Sequence, residues 1–124
     1  MTARFRHEHL PLSGTAERIV AAARFPGDSD WFSGHFSGNP IVPGVALIAL
    51  AAEAVVERER SEGRSLAITG VRRVRFRLPV RPDDEVTLEA TRMPNTKGPA
   101  YAFTVRLAGE TACSGVLTAE IVPS

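Results

Sequence analysis

Residues Trp31–Glu53 read WFSGHFSGNPIVPGVALIALAAE, and the apolar run that begins at Val45 continues to Val56. The first half is a loop rich in Gly and Pro around a single histidine, His35. The second half shows no period-2 alternation and is dominated by Ala, Leu and Val, so it predicts a helix. Its 12 residues fall short of the roughly 20 needed to span a bilayer. A helix that is apolar nearly all round must be covered by other parts of the fold. Glu53 is the one charge inside the run, and burial there would require a partner or water. Nothing else in the chain resembles this segment.

The entrance to the helix carries its own chemistry. Asn39-Pro40 and Val42-Pro43 stiffen the approach, since each Pro fixes φ and pushes the preceding residue toward extended geometry. Pro43 suits a helix start because its missing N–H would have no partner there. The next N–H groups, those of Gly44 and Val45, have no intrahelical acceptor. They are placed to hold a carbonyl oxygen that gains negative charge. A simply well-formed helix start accounts for the same residues.

Working outward, Thr15–Phe25 contains Ile19, Val20 and a run of Ala, and predicts a strand ended by Pro26-Gly27-Asp28. Met1–Pro11 reads as a loose, irregular segment. Its His7-x-His9 pair lacks a third ligand nearby, so a frayed terminus is favoured over a metal site. Beyond the helix, Glu57-Arg58-Glu59-Arg60 predicts a solvated last turn, and Gly63 a helix stop.

Four strand-like runs follow: Leu66–Leu78, Glu85–Arg92, Tyr101–Leu107 and Thr111–Val122. They are separated by a turn at Pro79–Asp84, a hairpin loop at Met93–Pro99 and a tight turn at Gly109-Glu110. In the first run Val74, Phe76 and Leu78 alternate with Arg73, Arg75 and Arg77, which predicts an apolar face and a basic face. One strand, a buried helix and then consecutive antiparallel strands describe a single α+β domain with a helix packed on one sheet.

With 124 residues and 44% hydrophobic content, the chain suits one domain with a real core. A net charge of +1 does not announce a nucleic-acid binder. Five arginines, Arg72, Arg73, Arg75, Arg77 and Arg81, do cluster, but no aromatic stacking platform accompanies them. Such a patch either steers an acidic partner or is a solvated strand face that resists aggregation. The single cysteine, Cys113, excludes an internal disulfide and reads as a small buried hydrophobe. No signal-peptide pattern is evident, so a cytoplasmic protein without membrane contact is expected.

The segment GHFSGNPIVPGV with the apolar helix after it resembles the signature of the β-hydroxyacyl-acyl-carrier-protein dehydratases. VRRVRFRLPVRPDDEVTL resembles that family's next block, a basic-aromatic strand leading to a Pro-Asp turn. The likeness runs from about Ala16 to Ile121. It implies the hotdog fold, an antiparallel sheet wrapped round one long helix. It also implies removal of water from 3-hydroxyacyl thioesters of acyl carrier protein or CoA to give trans-2-enoyl thioesters, with no cofactor.

By that resemblance His35 takes the proton from C2, and the N–H of Gly44, helped by Val45, polarises the thioester carbonyl. Phe36 and Pro43 flank the substrate, and Arg73, Arg75 and Arg77 meet the carrier protein. The site is shared across a homodimer or a larger homo-oligomer. The family's acid stands fourteen residues beyond its histidine, which here is Ala49, and the family's Leu-Pro-His-Arg opening is not found. The sequence thus looks like a short, divergent member. Glu53, one helical turn beyond Ala49, is the remaining candidate acid. The departure leaves two alternatives open: an acyl-thioester-binding subunit without dehydratase activity, or a thioesterase using Glu53. A third is a heteromer in which this chain contributes His35 and another supplies the acid.

Overall fold

The computed structural model describes residues 8–9, 13–14, 18–26 and 41–123. Among these residues seven antiparallel strands and one helix occur in the order β1 (Glu8–His9), β2 (Ser13–Gly14), β3 (Arg18–Arg24), α1 (Gly44–Ser61), β4 (Leu66–Phe76), β5 (Glu85–Arg92), β6 (Ala100–Leu107) and β7 (Glu110–Ile121). They form one sheet in the order β1-β3-β5-β6-β7-β4, with β2 also paired to β3. The segment expected to be loose therefore contributes Glu8 and His9, which pair with Arg24 and Ala23.

Alternation fixes which face of each strand meets the helix. Ile19, Ala21 and Ala23 of β3, Val86, Leu88 and Ala90 of β5, and Tyr101, Phe103 and Val105 of β6 are all buried. These residues come into line because the register runs without a break from Arg18↔Thr91 to Arg24↔Glu85, and from Val86↔Leu107 to Arg92↔Tyr101. Helix α1 answers with Ala46, Leu47, Leu50, Ala51, Ala54 and Val55, a stripe at three- and four-residue spacing. Alanines on that stripe let the helix backbone lie close to the sheet. Truncating the fully buried Leu50 would cost about 2–5 kcal/mol.

Among the described residues the helix is not covered all round. Val45 is 62% exposed, Glu53 is exposed, and Ile48, Ala49, Ala52 and Val56 are half-buried. The uniform burial expected from composition thus holds on the sheet side only. Glu53 lies on the open side and not among the core residues.

Strand β4 lies at the sheet edge, paired only to β7 among the described strands. Its register slips twice, between Ile68 and Gly70 and between Arg72 and Arg75. At the second slip Arg73 takes a positive φ of 57°. A bulge adds a residue to one strand and changes the phase of its side chains. Downstream of it the predicted alternation holds: Val74 and Leu78 pack against the core while Arg73, Arg75 and Arg77 are exposed, although Phe76 remains 55% exposed. The bulges and charges also make β4 a poor template for indiscriminate strand pairing.

The turns follow their residue types. Leu107 pairs with Glu110, so Ala108 and Gly109, both with positive φ, form the tight turn one residue earlier than expected. Gly63, at φ 85°, ends α1 as predicted. Its N–H donates to the Arg60 carbonyl at 3.0 Å, and the Arg64 N–H donates to the Glu59 carbonyl at 2.8 Å. This is a Schellman closure of the helix end.

Candidate functional site

The start of α1 is open at the backbone. Pro43 occupies the N-cap position with extended ψ, and no side chain caps the helix. The first helical N–H that folds back is that of Ala46, which donates to the Pro43 carbonyl at 2.9 Å. The N–H groups of Gly44 and Val45 keep the free donor character expected of a first turn. The chain approaching them is anchored by the Val42 N–H, which donates to the Val80 carbonyl at 2.6 Å.

Beside this helix start lies a cavity of about 320 Å³ lined by Ile41, Val42, Gly44, Leu47 and residues 76–80. Its walls are mostly apolar, and the Arg77 side of the rim is charged. Phe76 closes on the helix so tightly that a Cβ at Gly44 would stand 2.5 Å from the ring Cζ and 2.7 Å from Cε1. A side chain at position 44 would therefore have to displace the Phe76 ring from the cavity wall. The sequence signalled Gly44 as a donor but not Phe76 as the wall opposite it. Alternation placed Phe76 on the apolar face, but its position against the helix start depends on the tertiary path of β4.

Gly44, Pro43 and Val45 are thus brought together at one end of the fold, although Val45 points to the open side of the helix. His35 and Phe36 lie outside the described residues. Ala49 and Glu53 follow on the partly open face of α1, about 6 Å apart along the axis. Arg72, Arg73, Arg75, Arg77 and Arg81 are all exposed along and just beyond the edge strand, as the basic-face reading expected.

The buried charge of the helix is Glu59, not Glu53. Glu59 is 1% exposed, which corrects the expectation that Glu57–Arg60 is a solvated turn. The Schellman closure carries Arg64 back over it, so that Arg64 Nε donates to Glu59 Oε2 at 3.0 Å and an Arg64 terminal nitrogen to Oε1 at 3.1 Å. These donated bonds hold the Glu59 carboxyl below its ordinary range, against the opposing effect of burial. Arg64 also offsets the unfavourable position of a carboxylate near a helix C-terminus.

Tyr101 from β6 stands close by. Burial, reinforced by the Glu59 charge, pushes its phenol up to about 12. The Tyr101 hydroxyl is near Glu59 but makes no hydrogen bond of acceptable geometry. This cluster ties the helix end to the sheet, remote from the helix start.

Cys113 is fully buried, and burial pushes its thiol up to about 11. It is an inert core residue, as expected. Among the described residues no group of His, Cys, Asp and Glu is arranged to hold a metal ion. Among them, too, no helix is long and apolar enough to cross a membrane.

The family described as ApeI-like (ApeI dehydratase) matches residues 12–116. The 3-hydroxyacyl-[acyl-carrier-protein] dehydratase FabZ of Oenococcus oeni is 36% identical over 109 residues, spanning 83% of this chain and 78% of that protein. The dehydratase FabZ of Bacillus thuringiensis is 34% identical over 110 residues, 82% and 74% of the two chains. Among solved structures, the dehydratase heterocomplex ApeI:P from Xenorhabdus doucetiae matches with a TM-score of 0.73 at 18% identity, covering 92% of this chain and 97% of that one. A hypothetical thioesterase with coenzyme A from Streptococcus pneumoniae TIGR4 matches with a TM-score of 0.72 at 12% identity, covering 96% and 88%. At such identities the two structures speak to the fold, which is the hotdog fold the sequence pattern implied.

Proposed function

The chain belongs to the ApeI-like dehydratase family, and on that premise we propose that it acts as a hydro-lyase on 3-hydroxyacyl thioesters. The observation that carries this reading is the uncapped first turn of α1, whose Gly44 N–H borders an apolar cavity walled by Phe76. The thioester carbonyl oxygen accepts a hydrogen bond from Gly44. His35 removes a proton from C2, and the C2–H electron pair flows toward the carbonyl carbon. The Gly44 dipole stabilises the resulting oxyanion. A neutral imidazole with a pKa near 6.5 suits that transfer. The C3–O bond then breaks, the leaving hydroxide takes a proton to become water, and a trans-2-enoyl thioester remains. No cofactor enters these steps.

The proton for the leaving group is the weak point, because Ala49 stands where the family's acid is expected. Glu53 is exposed on the same helical face and is the nearest carboxylate along it. A second source is another, non-identical chain that supplies the acid to the His35 of this one. The fold's likeness to a structure described as a dehydratase heterocomplex favours considering that arrangement. The open stripe of Val45, Ile48, Ala49, Ala52 and Val56 supports assembly of either kind, since apolar side chains on a helix call for cover. A homodimer is the simplest form, and the arginines of β4 suit an acidic acyl carrier protein.

The alternative is a subunit that binds acyl thioesters without dehydrating them, or a thioesterase using Glu53. Ala49 and the fold's likeness to a hypothetical thioesterase with coenzyme A favour it. The deciding experiment incubates the purified protein with 3-hydroxyacyl, enoyl and saturated acyl thioesters and reads the products by mass spectrometry. Loss or addition of water, abolished by His35→Ala, supports the hydro-lyase. Thioester cleavage, or no change in any substrate, refutes it.

A further inference from the structure

A second, larger cavity of about 560 Å³ lies on the face of the sheet turned away from α1. Thr104 and Arg106 of β6 alternate with the buried Phe103 and Val105, and so project to this outer face. Ser114 and Thr111 of β7 complete a floor of hydroxyls. Arg77, in the segment that follows β4, flanks it from the other side. Its position is fixed by its own N–H, which donates to the Ala112 carbonyl at 2.8 Å. Among the described residues neither Arg77 nor Arg106 is paired with a carboxylate. Glu110, at the tight turn, also lines the groove.

Two guanidinium groups and one carboxylate leave the groove with one net positive charge, above three neutral hydroxyl donors. Guanidinium and hydroxyl together are the groups that bind a phosphate oxygen. The single net charge matches a phosphodiester, which carries one negative charge, better than a dianionic phosphate. Location supplies the second argument. Arg77 and Leu78 line both this groove and the cavity at Gly44, so the two are separated by only that short segment of wall. A thioester whose carbonyl sits at Gly44 trails a pantetheine arm that ends in a phosphate, whether the arm belongs to a carrier protein or to CoA.

We propose that the groove formed by Arg77, Arg106, Thr104, Thr111 and Ser114 is the binding site for the phosphodiester at the end of the substrate's pantetheine arm. The proposal rests on the acyl-thioester reading of the Gly44 cavity, but it is tested by binding and not by turnover. The probes are three unreactive S-alkyl thioethers: of pantetheine, of pantetheine bearing a methyl phosphodiester, and of CoA. Calorimetric titration of the wild-type protein should give the phosphodiester an affinity about tenfold above that of the phosphate-free probe, the lower end for charge-assisted hydrogen bonds at an open site.

Arg106→Gln should erase that tenfold gain without changing the affinity for the phosphate-free probe, and Arg106→Lys should restore part of it. A CoA thioether that gains as much as the phosphodiester assigns the groove to CoA as well as to the carrier's arm. A CoA thioether that gains less assigns it to the carrier's arm. Equal affinity of the wild type for the phosphate-free and phosphodiester probes overturns the proposal, as does failure of both to bind. Phosphate discrimination in a protein that neither removes nor adds water would refute the hydro-lyase and leave the groove assigned.

Discussion

Restoring a carboxylate at position 49 tests whether the leaving-group proton limits this site. Ala49 is half-buried on the open side of α1, flanked at four-residue spacing by the exposed Val45 and Glu53. A glutamate there has room to leave the helix without entering the core stripe of Leu50, Ala51 and Ala54. Helix propensity scarcely opposes the change, since Ala and Glu differ by only about 0.4 kcal/mol. A positioned general acid typically contributes 10²–10⁴-fold, or about 3–5 kcal/mol of barrier. Ala49→Glu should therefore raise dehydration of a 3-hydroxyacyl thioester by at least about 100-fold if the site lacks an acid. The assay is the ultraviolet absorbance of the enoyl thioester at saturating substrate, so that kcat is read directly. Glu53→Gln is the control. If Glu53 already donates the proton from about 6 Å further along the helix, Glu53→Gln loses activity and Ala49→Glu adds little. An Ala49→Glu protein that is folded, binds the thioether probes and still releases no water would refute the reasoning, and with it the hydro-lyase itself.

Three other outcomes follow from the geometry. Glu59→Gln should destabilise the fold by about 1–3 kcal/mol in urea denaturation, because a buried charged pair is lost while the half-exposed Arg64 regains water. The Arg64 bonds hold the Glu59 carboxyl below its ordinary range, so its contribution is present at neutral pH and lost as acid protonates it; the loss of stability with falling pH should be shallower in the variant than in the wild type. Gly44→Ala should cut turnover at least about tenfold with a smaller loss of stability, since the added methyl must displace the exposed Phe76 ring at the cavity mouth; Phe76→Ala in the same chain should recover part of the rate, and an unaffected Gly44→Ala enzyme would remove this cavity from the mechanism. Neutralising Arg72, Arg73 and Arg75 together should weaken binding of an acidic carrier protein and flatten its salt dependence, leaving reaction with pantetheine thioesters unchanged, as read by kcat/KM across an ionic-strength series.

What could be read from the sequence divides along physical lines. The strands were legible because Ile19, Val86, Leu88, Phe103 and Val105 sit at period 2, and the pairings of β3 with β5 and of β5 with β6 keep one register throughout. The helix bounds were legible because Pro43 and Gly63 act through local backbone geometry alone. Phe76 was legible as part of an apolar face but not as a cavity wall, because its place beside Gly44 depends on how β4 meets β7, a pairing between residues some forty positions apart. Glu59 and Glu53 were interchanged for a related reason. Burial of a carboxylate is decided by a partner, and Arg64 reaches Glu59 only after the chain has reversed at Gly63.

The helix itself carries the argument furthest. Its composition calls for cover on every side, yet its own sheet covers only the stripe through Leu47, Leu50 and Val55, leaving Val45 62% exposed and Ile48, Ala49, Ala52 and Val56 half-buried. Both statements hold together if a second chain covers the open stripe. Ala49 and Glu53 lie on that stripe, so the side chain that would meet the leaving hydroxyl belongs to a surface that assembly completes. A chain that stays monomeric by light scattering at micromolar concentration, yet dehydrates its substrate at full rate, would refute that shared site.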